Sequence, residues 1–147
     1  MNKNFTDKEL LAECCKLLEH NQDAVRFILA YGEYIEHIDD LVDEEKDNNR
    51  NRKLLEYSSM VFNSNYWCKY RSQLYLLERM IHNTYFDSVT WETSTDEWKR
   101  RDAKCLSHCG YMMLFAVVLI ECGEEALNGF TLRFREHAHL RHINDKI

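Results

Sequence analysis

The chain has 147 residues, 45% of them apolar and 12% aromatic, with a formal net charge of −6. Such a length and composition describe a globular protein with one hydrophobic core and exclude a disordered chain. The net acidity argues against a general nucleic-acid binder, which relies on lysine and arginine to neutralise phosphates.

There are no prolines and only four glycines. Nothing therefore interrupts helical runs, and hairpin turns would want more glycine. The pattern predicts an all-α, single-domain bundle of five to six helices. The first residues, MNKNFTDKEL, lack the apolar stretch of a signal peptide. The longest apolar run, Tyr111–Ile120, is about half a bilayer crossing. A soluble, cytoplasmic chain with no membrane partner is expected.

In chain order, Thr6 and Glu9 have capping-box spacing, so a first helix should start at Thr6 and run to about Glu19. Asn21 or Asp23 is placed to cap a second helix reaching about Lys46. The polar, aperiodic stretch 47–52 reads as a loop, followed by a short helix over Lys53–Phe62. Asn63, Ser64 and Asn65 form another break and cap. Helix four, Tyr66–Tyr85, carries the apolar stripe Trp67, Tyr70, Leu74, Leu77 and Ile81. Helix five spans about Asp96 to Cys122 and becomes apolar on all sides, which predicts a buried central helix near residues 96–122. Gly123 is a natural helix stop. A sixth helix, Glu124–Arg135, leads into a basic, loose tail over 136–147.

The six cysteines contain no CxxC pair, so free buried thiols are expected, and no zinc ribbon. Cys105 and His108 share a helix stripe, but a nucleophile pair needs a third, orienting group.

The segment Glu33–Asp47 holds eight carboxylates and one lysine, a local charge of −7. On a helical wheel Ile28, Tyr31, Tyr34, Ile35, Ile38, Leu41 and Val42 occupy one arc, and the acids with His37 occupy the other. Two readings stay open. One is an amphipathic helix with a hydrated acidic face. The other is a site for a hard cation, since Mg²⁺ takes carboxylate oxygens and commonly a substrate phosphate. Glu33, Glu36 and Asp40 stack at three- and four-residue spacing, as do Asp39 and Asp43.

Two local motifs bear resemblances. Glu33-x-x-Glu36 resembles the ExxE half of the all-α nucleoside triphosphate pyrophosphohydrolases, the MazG-like and dimeric dUTPase families. Asp39-Asp40-Leu41-Val42-Asp43 resembles the first DDxxD motif of terpenoid and prenyl synthases. Both resemblances imply metal-assisted diphosphate chemistry, and the second metal motif of each family has no counterpart here. The whole chain looks like small uncharacterised phage-encoded helical proteins, a resemblance that implies no activity.

On helix four a polar stripe of Arg71, Tyr75, Glu78 and His82 lies beside the apolar one. Glu33/His37 and Glu78/His82 have the same four-residue spacing, and together they would supply carboxylate and imidazole ligands to one metal between two helices. Arg71 and Tyr75 suit a phosphate or base.

The expected function is therefore a Mg²⁺ or Mn²⁺ site drawn from Glu33, Glu36, His37, Asp39, Asp40, Asp43, Glu78 and His82. It would hold a phosphorylated small molecule, a nucleotide or diphosphate, and hydrolysis is one possible outcome. Arg71, Tyr75 and Arg101 would contact phosphate. The alternative is a non-enzymatic, virus-encoded interaction or inhibitor protein whose acidic face binds a host protein. A homo-oligomer is compatible with the abundance of tryptophan and tyrosine.

Overall fold

The computed structural model describes the backbone of residues 3–42 and 48–145, and the side chains of 9–42, 49 and 51–136. It is an all-α bundle: α1 (Lys3–Leu17), α2 (Gln22–Val42), α3 (Asn48–Phe62), α4 (Asn65–Trp91), α5 (Glu97–Leu106), α6 (Tyr111–Cys122) and α7 (Glu124–Asp145). No strand occurs among the described residues.

The apolar helix α6 is the centre, packing against α1, α2, α4 and α7. Its Met113, Val117 and Val118 are fully buried, in one core with Phe27, Leu74 and Phe130. Burying apolar side chains of this size stabilises a fold by roughly 1.5–3 kcal/mol each. Residues 97–122 contain an 18-residue window apolar enough, by length and composition, to cross a membrane. A turn at 107–110 divides that stretch, and five side chains of α6 lie in the core.

That turn corrects the single helix expected over 96–122. From residue 107 the backbone tightens into a series of three-residue steps, His108 N–H to Cys105 O, Cys109 to Leu106 and Tyr111 to His108. Gly110 sits where the turn meets α2, and a Cβ there would stand 3.3 Å from Ile35 Cγ2. A side chain there would need Ile35 to give way by a few tenths of an ångström.

Four other boundaries differ from the sequence reading. Thr6 lies inside α1 and is not its cap. Residues 48–52 are helical, with Asn51 and Arg52 exposed. They extend a helix whose Leu54, Tyr57, Val61 and Phe62 pack inward, so the polar run is a solvated first turn. Helix α4 continues to Trp91, and α7 continues to Asp145, through the expected tail. The end of helix two beyond Val42 lies outside the described residues, as do the side chains of the tail beyond 136. Two caps are as expected. Asn21 Oδ1 accepts from the N–H groups of Asp23 and Ala24, and Ser64 Oγ accepts from that of Trp67.

Helices α2 and α3 form an antiparallel pair: His37 meets Tyr57 and Tyr34 meets Phe62, so numbers fall on one helix as they rise on the other. Helices α2 and α4 run parallel. Their side-chain bonds join Tyr31 to Glu78, Tyr34 to His82 and Asp39 to Tyr85, at sequence offsets of 47, 48 and 46.

Gly123 closes α6 at φ +88°, ψ 176°, a conformation essentially restricted to glycine. Gly123→Ala should lower the unfolding free energy by about 1–3 kcal/mol. A urea midpoint that falls at unchanged slope would be the signature, and an unmoved midpoint would refute it.

Candidate functional site

The polar stripe of α4 faces a cleft of about 430 Å³, formed where α4 meets Tyr34 of α2 and Phe62 at the end of α3. From α4 come Trp67, Cys68, Arg71, Tyr75, Glu78, Arg79 and His82. Arg71, Tyr75 and Arg79 are spaced by four, one side chain per turn on a single face. A kink at Tyr70 (φ −109°, ψ 18°) precedes that row and lies beside Trp67 and Cys68 in sequence. Trp67 is buried edge-on against Phe62, at 5.0 Å between ring centres, while Tyr75 stands half exposed at the mouth.

Glu78 lies on the floor, its side chain only 6% exposed. The Tyr31 hydroxyl donates to its Oε2 at 2.6 Å. His82 Nε2 lies 2.6 Å from Oε1, but no hydrogen bond of acceptable direction reaches that oxygen. The Tyr34 hydroxyl lies 3.3 Å from the same Nε2. Burial is the main cause that pushes the Tyr34 hydroxyl up to about 12, Glu78 adds to it, and Arg79 opposes it. Tyr31 is raised further, first by burial and then by Glu78. Both phenols stay protonated across the neutral range, and Tyr31 donates to Glu78. Among the described residues neither Arg71 nor Arg79 has a carboxylate within ion-pair distance.

The expected metal ligands do not converge. His37 turns toward α3: its Nδ1 lies 2.7 Å from the carbonyl of Glu33, and its ring stands 5.3 Å from Tyr57. Glu78 and His82 face Tyr31 and Tyr34 instead. The two Glu-x-x-x-His pairs thus look to different neighbours, because a helix turn of roughly 100° per residue sends their stripes to different seams. Asp39 accepts from the Tyr85 hydroxyl at 2.7 Å, and Glu33 and Glu36 are exposed. Asp40 is half-buried, and Asp43 lies outside the described residues. No group of three His, Cys, Asp or Glu side chains suited to a metal ion occurs among the described residues.

Arg71 and Tyr75 do reach the cleft. Arg101 does not: it lines a separate groove on α5 with Glu92, Glu97, Arg100 and Lys104. Sequence reasoning passed over Arg79, although its spacing from Tyr75 and Arg71 carried the signal. It also read Tyr31 and Tyr34 only as apolar positions. A second polar tie stands apart from the cleft, where Glu121 accepts from Asn21 at 2.9 Å and from the Tyr66 hydroxyl at 3.2 Å.

The thiols do not supply a nucleophile to the cleft floor. Burial pushes Cys109 up to about 11, against the lowering effect of the backbone N–H groups of Cys109 and Gly110. Cys14 is fully buried and pushed up to about 12, mainly by burial, with its neighbour Cys15 adding. Cys68 and Cys105 are exposed. Comparison with known proteins finds no matching family profile, no matching curated protein and no matching solved structure.

Two outcomes follow. Tyr31→Phe strips a buried carboxylate of its hydroxyl donor and should destabilise the fold by about 1–3 kcal/mol in denaturant titration. A change below a few tenths would show that Glu78 finds another partner. Alkylation of the native protein at pH 8, followed by mass spectrometry, should modify Cys68 and Cys105 first. Cys14 should react only on unfolding, because a raised pKa keeps the thiolate scarce until the pH rises toward it. Early labelling of Cys14 would contradict its burial.

Proposed function

We propose that the α2–α3–α4 cleft binds a phosphorylated small molecule of the nucleotide or diphosphate class. The supporting observation is a pair of arginines, Arg71 and Arg79, without carboxylate partners among the described residues, on an aromatic-lined cleft. A guanidinium forks two oxygens of a phosphate in a way an ammonium does not. The cleft volume falls within the range of about 300–1,000 Å³ common to small-molecule sites. Tyr34, Phe62, Trp67 and Tyr75 supply flat apolar surface for a ring system. This reading keeps phosphate recognition with Arg71 and Tyr75 of α4 and puts Arg79 in the place of Arg101. A Mg²⁺ or Mn²⁺ ion, if required, would arrive bridging phosphate oxygens, as Mg²⁺ commonly does with one or two carboxylates.

Cys68 lines the cleft and is exposed, so its alkylation rate reports occupancy. Millimolar ADP, ATP or inorganic pyrophosphate should slow Cys68 labelling while leaving Cys105 unaffected. The double variant Arg71→Ala, Arg79→Ala should weaken protection at least tenfold, since hydrogen bonds to charged groups are worth about 1.5–3 kcal/mol each. Repeating the assay with Mg²⁺ and with EDTA decides whether a divalent ion takes part. Absence of protection by all three probes in both conditions would defeat the proposal.

A second reading draws on the exposed Glu33 and Glu36 of α2. They would offer an acidic surface to a basic partner protein, in a complex weakened by salt and indifferent to Arg71 and Arg79.

A further inference from the structure

We propose that the cleft hydrolyses the phosphate compound it binds, with His82 as general base and Glu78 as the positioning residue. The inference rests on the phosphate-binding reading above and adds a reaction to it.

The starting point is Glu78, a buried carboxylate at a position where packing alone would favour an apolar side chain. Position 78 lies on the buried side of α4 between Leu74 and Ile81, where an apolar residue would continue the stripe. A buried carboxylate instead carries a desolvation penalty that its partners often do not fully repay. Glu78 is nevertheless placed where it touches His82, and both line the cleft. Tyr31 holds one carboxylate oxygen, and the other lies against His82 Nε2. With Nε2 turned toward Glu78 and Tyr34, Nδ1 has no partner among the described residues, on a ring whose side chain is 26% exposed. A base whose Nε2–H donates to a buried carboxylate, with its other nitrogen free for the reacting proton, is the arrangement needed to activate a nucleophile; the 2.6 Å separation allows that bond, and a turn of the ring on substrate binding completes it.

The placement along α4 orients the substrate. Arg79 lies about 4.5 Å along the helix axis from His82, and Arg71 about 16 Å. The scissile phosphoryl group is then at the Arg79 end, and Arg71 grips a more distant phosphate. In the step itself, a water oxygen forms a bond to phosphorus as His82 Nδ1 takes its proton. The bond from phosphorus to the leaving oxygen breaks, with the electron pair going to that oxygen. His82 returns the proton to it. The products are orthophosphate and an alcohol or shorter phosphate, and water is the sole co-reactant. Arg79 neutralises charge on the phosphoryl oxygens as they reorganise.

The test measures orthophosphate release from ADP, ATP and pyrophosphate alongside Cys68 protection. Wild-type protein should do both. His82→Asn should cut release at least 100-fold at probe concentrations that still fill the cleft, as judged by Cys68 labelling, because a positioned base contributes about 10²–10⁴-fold. Glu78→Gln should slow release while leaving Cys68 protection intact, a split between turnover and binding that a purely structural role would not give. Protection without release in the wild type would overturn the hydrolytic step and leave the binding site standing. Release that survives His82→Asn would overturn it as well. Neither protection nor release would remove both readings. The wild-type measurement decides the matter even if a variant fails to fold.

Discussion

One buried hydrogen bond, from the Tyr31 hydroxyl to the Glu78 carboxylate, ties the register of α2 to that of α4. An ionised carboxyl removed from water must be hydrogen-bonded or paired, or its burial opposes folding by several kcal/mol. Tyr31 reaches it only if α2 and α4 run parallel at a sequence offset near 47, and the same offset brings Tyr85 to Asp39. A slip of one turn, about 5.4 Å, would leave the charge without its donor. The polar seam therefore sets register, while the apolar residues beside it supply most of the driving force.

The cleft is a consequence of that register. With α2 and α4 aligned, the end of α3 brings Phe62 against both Tyr34 and Trp67. The row Arg71, Tyr75 and Arg79 then projects past the aromatic wall. At the opposite side of the core Glu121 performs a comparable service, tying the turn before α2 to α4 and α6 through Asn21 and Tyr66. Arg133 paired with Glu13 adds a tie from α7 to α1. In both ties a tyrosine hydroxyl donates to one carboxylate oxygen while its ring adds apolar area.

Parts of this arrangement were legible in the chain. The stripe of Trp67, Leu74 and Ile81 is buried as its spacing implies, and Ile28, Tyr31 and Tyr34 form the inner face of α2. Arg71, Tyr75, Glu78 and His82 share the cleft, as a single polar stripe should. Other parts were not legible. The break at 107–110 brings Gly110 close to Ile35, a neighbour 75 positions away in the chain. Asp39 reads as a ligand in the motif Asp39-Asp40-Leu41-Val42-Asp43, yet in the fold it answers the hydroxyl of Tyr85. His37 looked like the counterpart of His82, but it leans on α3.

The sequence by itself determined the all-α class, the caps at Asn21 and Ser64 and the inward faces of α2 and α4. These follow from interactions among residues within a turn or two, which composition, spacing and the absence of proline report directly. Only the tertiary structure decided which helices are neighbours, in which direction they run and which polar side chains meet. The Tyr31–Glu78 bond spans 47 residues and the Asn21–Glu121 bond 100. Such pairings depend on the packing of whole helices, and periodicity, which describes one helix at a time, carries no record of them.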